Sequence, residues 1–206
     1  MRRSNRMGII AASVAIAISL FGLTGLTASA LNRSGHGQKD PAPVSYEEDG
    51  TTSALATRAL EGSIQQITYD QAYEGVTYEK EALVYVPASY TPGVPANIVY
   101  LTHGWWGTAD GLAGGVAPIV DQLTSAGSIT PTIVVFATYY PDRSFATEDY
   151  EDDYALNRFF ATTEIDTLIK TVESRYTTFA RGDTSDESLR ASRRHRAFGG
   201  FSMGAT

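Results

Sequence analysis

The sequence predicts an α/β fold in which an antiparallel hairpin leads into parallel strands joined by crossover helices. Three observations carry this. Residues 97–102 (NIVYLT) and 132–138 (TIVVFAT) are short, nearly continuous apolar runs, as in strands buried on both faces of a parallel sheet. Between them Val116, Ile119, Val120 and Leu123 recur at helical spacing. Ahead of them, 63–69 and 78–86 read as two strands, the second alternating loosely up to Pro87. Strands that alternate with helices imply βαβ crossovers.

The elements follow in order. Arg2, Arg3 and Arg6 precede an uncharged run over 7–27, and Ala28-Ser29-Ala30 follows it. This three-part layout predicts a secretory signal over 1–30, cleaved after Ala30, and hence a secreted protein without stable membrane insertion. An uncleaved N-terminal membrane anchor is the alternative, because the run is long enough to span. Residues 31–62 read as a polar linker or tail, rich in Gly, Pro, Ser and charge, with a short helix over 52–60. His36, between glycines, reads as solvated. The folded part is predicted over 63–206. Two prolines and a glycine make 88–95 a turn. A Gly-rich loop covers 104–115, and a helix covers 116–126, with Gly127 as its stop. The loop 139–153 holds an acidic run (Glu148, Asp149, Glu151, Asp152, Asp153) that reads as a solvated face or a cleft border. A helix is predicted over 154–176, with Leu156, Phe159, Phe160, Leu168, Ile169, Val172 and Tyr176 on one face. A loop over 177–185, a helical turn at 189–193 and a third short strand at 196–201 complete the chain.

Composition narrows the chemistry. The 206 residues carry 16 basic and 23 acidic side chains, a net charge of −7, which argues against nucleic acid as the main partner. There is no cysteine, so disulfide scaffolds, thiolate metal sites and cysteine nucleophiles are excluded. The three histidines are His36, His103 and His195, and a His-only zinc site would need them all. No metal or organic cofactor is expected.

The chemistry lies at Gly200-Phe201-Ser202-Met203-Gly204, a G-x-S-x-G motif after a strand-like run. In a nucleophile elbow the serine occupies a strained strand-to-helix turn, and glycines two residues either side permit the close approach. The next N–H, here that of Met203, faces the developing oxyanion. The first buried strand ends in His103-Gly104-Trp105, where such folds place the second oxyanion N–H.

The chain resembles the α/β-hydrolases of the esterase D type, which include feruloyl esterases and acetylxylan esterases. The resemblance runs from about residue 67 to 206. It rests on ITYD (67–70), VYVPASY (84–90), YLTHG (100–104), VESRY (172–176) and above all SRRHRAFGGFSMGAT (192–206). It implies that Ser202 is the acyl nucleophile and that the Met203 and Trp105 N–H groups form the oxyanion hole. It also implies that Gly200, Gly204, His103 and Gly104 shape the elbow and its facing loop. Family members commonly carry HGxGG, whereas this chain reads HGWWGTADG. Trp105 and Trp106 are thus candidates to stack on a sugar or a phenolic acyl group, or to pack the loop onto the sheet.

A serine esterase needs a general base and an acid that orients it, in chain order Ser, Asp or Glu, His. Neither type occurs among the four residues after Ser202. His195 precedes the serine by a strand length, about 20 Å at ~3.3 Å per residue, and His103 reads as a brace for the oxyanion loop. The expectation is therefore the N-terminal half of an α/β-hydrolase, an incomplete domain inactive alone, its open sheet edge prone to aggregation. The full protein is expected to be a secreted serine carboxylesterase. The resemblance implies feruloyl or acetyl esters of xylan, an ester-substituted polysaccharide or small ester, as substrate. An acyltransferase on the same fold and a non-catalytic carbohydrate-binding protein are the competing readings.

Overall fold

The computed structural model describes residues 59–206. The expected signal, most of the linker with His36, and all but the last two residues of the helix expected at 52–60 lie outside the described residues. Among the described residues no helix is long and apolar enough to cross a membrane.

Strands β1 (Ser63–Tyr73) and β2 (Val76–Val86) pair antiparallel along their whole length. Glu74 and Gly75 connect them with φ of 48° and 81°. Two successive positive φ values mark a type I′ turn, whose twist suits a hairpin. That turn lets both strands run further toward the tip than alternation alone predicts. Strands β3 (Asn97–Thr102), β4 (Thr132–Ala137) and β5 (Arg196–Gly200) are mutually parallel, and the sheet order is β1-β2-β4-β3-β5. Strand β2 joins β4 antiparallel, so the hairpin extends one side of the parallel sheet.

The sheet has a core on each face. Ile133, Val135 and Ala137 of β4 face one core with Leu156, Phe160, Leu168 and Val172. Val134 and Phe136 face the other, with Tyr85, Ala113, Val116, Ala117 and Val120. Burial on both sides is why β4 reads as an unbroken apolar run.

Helix boundaries depart from the sequence reading. Helix α1 spans Ala109–Ser125, so residues 109–115 are helix rather than loop. The Thr108 side chain caps it by accepting from the Gly111 N–H, and Asp110 complements the first turn. The glycines that suggested a loop lie toward solvent, and the cap with the buried Ala113–Val120 stripe outweighs their cost. The helix expected at 154–176 is three pieces: α2 (Tyr154–Phe159), a π turn (Phe160–Glu164) and α3 (Ile165–Glu173). The wider turn resets the phase, so Leu156 and Phe160 before it, and Leu168 and Val172 after it, all reach one core. Helix α4 spans Asp186–Ala191, capped by Ser185, and a short 3-10 turn at Arg193–His195 leads into β5.

The π turn also points Glu164 inward. Its Oε1 lies 2.5 Å from Lys80 Nζ and accepts from the Tyr69 hydroxyl at 2.6 Å. Lys80 Nζ donates again to the Thr138 carbonyl at 2.9 Å. Burial pushes the Lys80 amine down and the Glu164 carboxyl up, and each partner opposes the shift of the other. Removing one partner strands the other charge without compensation. Glu164→Gln is expected to cost about 3–5 kcal/mol by urea unfolding, with much of the loss recovered in the Lys80→Met, Glu164→Leu double variant.

Candidate active site

Strand β5 ends at Gly200, and the chain turns through Phe201 into a 3-10 turn over Ser202–Ala205. Ser202 has φ 50°, the left-handed region that a non-glycine residue enters at a cost. Steric closeness enforces this. A Cβ at Gly200 would lie 2.0 Å from the Gly204 carbonyl oxygen, and one at Gly204 would lie 2.5 Å from the carbonyl oxygens of Thr102 and His103. Thr102 Oγ1 donates to Gly204 O at 2.7 Å, and the Phe201 N–H donates to Thr102 O at 3.1 Å. Asn157 Nδ2 donates to Met203 O at 2.8 Å. Met203 is buried as the anchor, and Ser202 is left exposed. The Met203 N–H belongs to the first residues of the 3-10 turn, which have no partner within it.

The loop after β3 lies against this turn. A Cβ at Gly104 would come within 2.9 Å of the Phe201 ring and 3.3 Å of Ser202 Cβ. The His103 ring fixes the loop from below. Its Nδ1 is 2.8 Å from Gly104 O, and a carbonyl only accepts, so Nδ1 carries the proton. Nε2 then accepts from Thr138 Oγ1 at 2.8 Å, and that oxygen accepts from the Tyr140 N–H at 3.2 Å. The Gly107 N–H donates to Gly104 O as well, at 2.9 Å. With Gly104 O held toward the ring, the trans peptide points the Trp105 N–H the opposite way. Both nitrogens of His103 are thus engaged, and burial holds its pKa below the ordinary imidazole value, against the Gly104 bond that would raise it. His195 closes the 3-10 turn just before β5, where Nδ1 lies 2.9 Å from Asn97 Oδ1 and the ring stacks on Phe179.

Trp106 also has a positive φ, 60°. Its N–H donates to the Tyr140 hydroxyl at 3.2 Å, its carbonyl accepts from Arg143 Nη2 at 2.9 Å, and its Nε1–H donates to Thr147 O at 2.7 Å. Trp105 and Trp106 are 38% and 49% exposed, so both are partly open to water beside the loop. The acidic run divides. Glu148, Asp149 and Glu151 are exposed, but Asp153 is buried and accepts from the Tyr140 hydroxyl, contrary to a wholly solvated face.

Sequence reasoning missed Thr138, Tyr140, Arg143 and Asn157. The available signal was position: Thr138-Tyr139-Tyr140 follows β4 directly, at the carboxyl edge of the parallel strands where such sheets place their sites. Among the described residues no group of three or more His, Asp or Glu side chains is placed to hold a metal ion.

The fold and the elbow define an α/β-hydrolase. Solved structures that share this fold include feruloyl esterases. The feruloyl esterase module from Clostridium thermocellum, solved with sinapinate, is 28% identical with a TM-score of 0.57 over 85% of this chain and 54% of that one. A ferulic acid esterase from the anaerobic fungus Anaeromyces mucronatus, 20% identical, shares the fold at TM-score 0.54 over 69% of this chain and 50% of that one. Endo-1,4-beta-xylanase Y of Acetivibrio thermocellus is 33% identical over 137 residues, 65% of this chain and 12% of the relative. The chain therefore spans about half the length of these solved structures and a small part of that relative. No protein-family model matches it.

Two expectations follow from the packing. Gly204→Ala forces a Cβ into backbone oxygens and is expected to cost about 1–3 kcal/mol or more, whereas Gly114→Ala, with open space at its Cβ inside α1, is expected to gain about 0.5–1 kcal/mol, both read from urea midpoints. His103 is held neutral, so its pKa is depressed relative to the unfolded chain. Its contribution is present above the unfolded value of about 6.5 and is lost as pH falls. Between pH 7.5 and 5, stability should fall by up to about 1.4 kcal/mol per pH unit from this group, and His103→Gln should flatten that slope.

Proposed function

We propose that the protein is a secreted serine carboxylesterase acting on feruloyl or acetyl esters of xylan through an acyl-Ser202 intermediate. The observation that carries this is Ser202 at φ 50° between two glycines that admit no Cβ, against the His103-Gly104-Trp105 loop. Ser202 Oγ gives its proton to a base and attacks the ester carbonyl. The carbonyl oxygen becomes an oxyanion and accepts from the Met203 and Trp105 N–H groups. The alcohol leaves with the proton returned by the base, and water then releases the acid from Ser202. The feruloyl esterase relatives and the xylanase relative support the ester and the polysaccharide. The export pattern at residues 2–30 supports an extracellular substrate.

The base and its orienting acid are proposed to come from chain beyond the 206 residues. The engagement of both His103 nitrogens, and the placement of His195 at the far end of β5, support this. The 206 residues alone should then turn over neither p-nitrophenyl acetate nor methyl ferulate. The same chain with the reading frame that follows it should hydrolyse both, and Ser202→Ala should abolish the reaction. Turnover by the 206-residue chain, or activity that survives Ser202→Ala, would defeat the proposal.

A further inference from the structure

Four aromatic rings form a continuous exposed track that begins at the oxyanion loop. Trp106 meets Trp105 at 6.1 Å between centroids, Trp105 meets Tyr150 at 6.2 Å, and Tyr150 meets Tyr154 at 6.1 Å. Their exposures are 49%, 38%, 47% and 50% in that order. Trp105 follows Gly104, where an added Cβ would lie 3.3 Å from Ser202 Cβ, so the Trp106–Trp105 part of the track belongs to the loop that faces the elbow.

The rings are held rather than loose. Trp106 is fixed through backbone N–H, carbonyl and indole N–H, and the Arg143 guanidinium lies 5.5 Å from its ring centroid. Tyr150 opens a 3-10 turn capped by Asp149, and Tyr154 opens α2 one turn later. Between them the buried Asp153 carboxylate accepts from the Tyr140 hydroxyl and so pins the segment that displays both tyrosines. Trp106 is held in this way at a positive φ while half open to water, and strained backbone and exposed aromatic clusters concentrate at binding sites.

We propose that Trp106, Trp105, Tyr150 and Tyr154 form a binding track for a neutral glycan, which holds the polysaccharide side of the ester while its acyl group meets Ser202. This rests on the esterase reading for its place in catalysis, though not for binding itself. Successive rings meet edge-to-face, at 89°, 73° and 86°, and their three steps of about 6 Å extend beyond a single phenolic ring, which favours a chain of sugars whose successive rings turn relative to one another. Pyranose faces lie on aromatic rings, and the exposed carboxylates Glu148, Asp149 and Glu151 beside them can accept from sugar hydroxyls. The same carboxylates repel an anionic ligand.

The test is titration with xylohexaose of the chain together with the reading frame that follows it, monitored by tryptophan fluorescence and calorimetry. Saturable binding is expected, weakened at least tenfold in the Tyr150→Ala, Tyr154→Ala double variant with its thermal midpoint unchanged. Ser202→Ala should bind as the parent does, so failure of the esterase chemistry would leave this result standing. Absence of binding, or equal affinity in the double variant, overturns the track. So does a double variant that loses only free ferulate, or only self-association in sedimentation, while xylohexaose binding is unaltered.

Discussion

The structure turns on a contact with no room in it: the crossing of the Gly200–Gly204 turn over the end of β3. The missing side chains at positions 200 and 204 let two backbones meet where even a methyl group would overlap carbonyl oxygens. Because they meet, Thr102 can bond both Phe201 N–H and Gly204 O, one through its backbone and the other through its hydroxyl. Because those bonds hold the turn, Ser202 is kept at a backbone angle it would not choose. Strain at the serine is thus the local consequence of a packing constraint set two residues away on each side.

The constraint reaches inward through Thr138. Its hydroxyl bonds the ring of His103, which holds the oxyanion loop, and its carbonyl accepts from Lys80, which is paired with Glu164 on the π turn. The residue that orients the loop from the sheet is therefore also the residue to which the buried ion pair is tied. Buried pairs of this kind seldom add net stability, but each member is costly to lose once the other is in place. A second pair does similar work at the other end of β5, where Arg196 Nε lies 2.5 Å from Glu173 Oε1 and Tyr100 donates to the same carboxylate at 3.2 Å.

What the sequence made legible, and what it hid, follows from the range of the interaction responsible. Strands β3 and β4 and the elbow were readable because burial on two faces and a G-x-S-x-G turn are encoded within a few consecutive residues. The start of α1 was not, because Gly111, Gly114 and Gly115 signal a loop locally while the Thr108 cap and packing of Ala113 and Val116 decide for helix. The π turn was invisible for a deeper reason: a search at a fixed 3.6-residue period has no way to represent one widened turn. The partners of the candidate site were hidden by distance along the chain. Asn157 reaches Met203 across 46 residues and Thr138 reaches His103 across 35, and neither has a local signature.

On the proposed mechanism, these restraints divide the catalytic task unevenly. Each contact that sets the elbow comes from β3, the loop after β3, or α2. None comes from the open side of β5, where Phe198 is 59% exposed and stacked on Tyr100, beside a groove of about 550 Å³ that Phe160, Ile165 and Thr206 also line. The Met203 and Trp105 N–H groups, the proposed oxyanion donors, are consequently placed by the described residues alone, before any base is considered. Electrostatic stabilisation by donors aimed in advance is commonly the largest single contribution to catalysis of this kind, and a lost donor costs about 2.7–4 kcal/mol. The half of the machinery that must be rigid is thus built on the most constrained part of the sheet. A proton acceptor, which needs reach more than rigidity, can approach from the side that this packing leaves open.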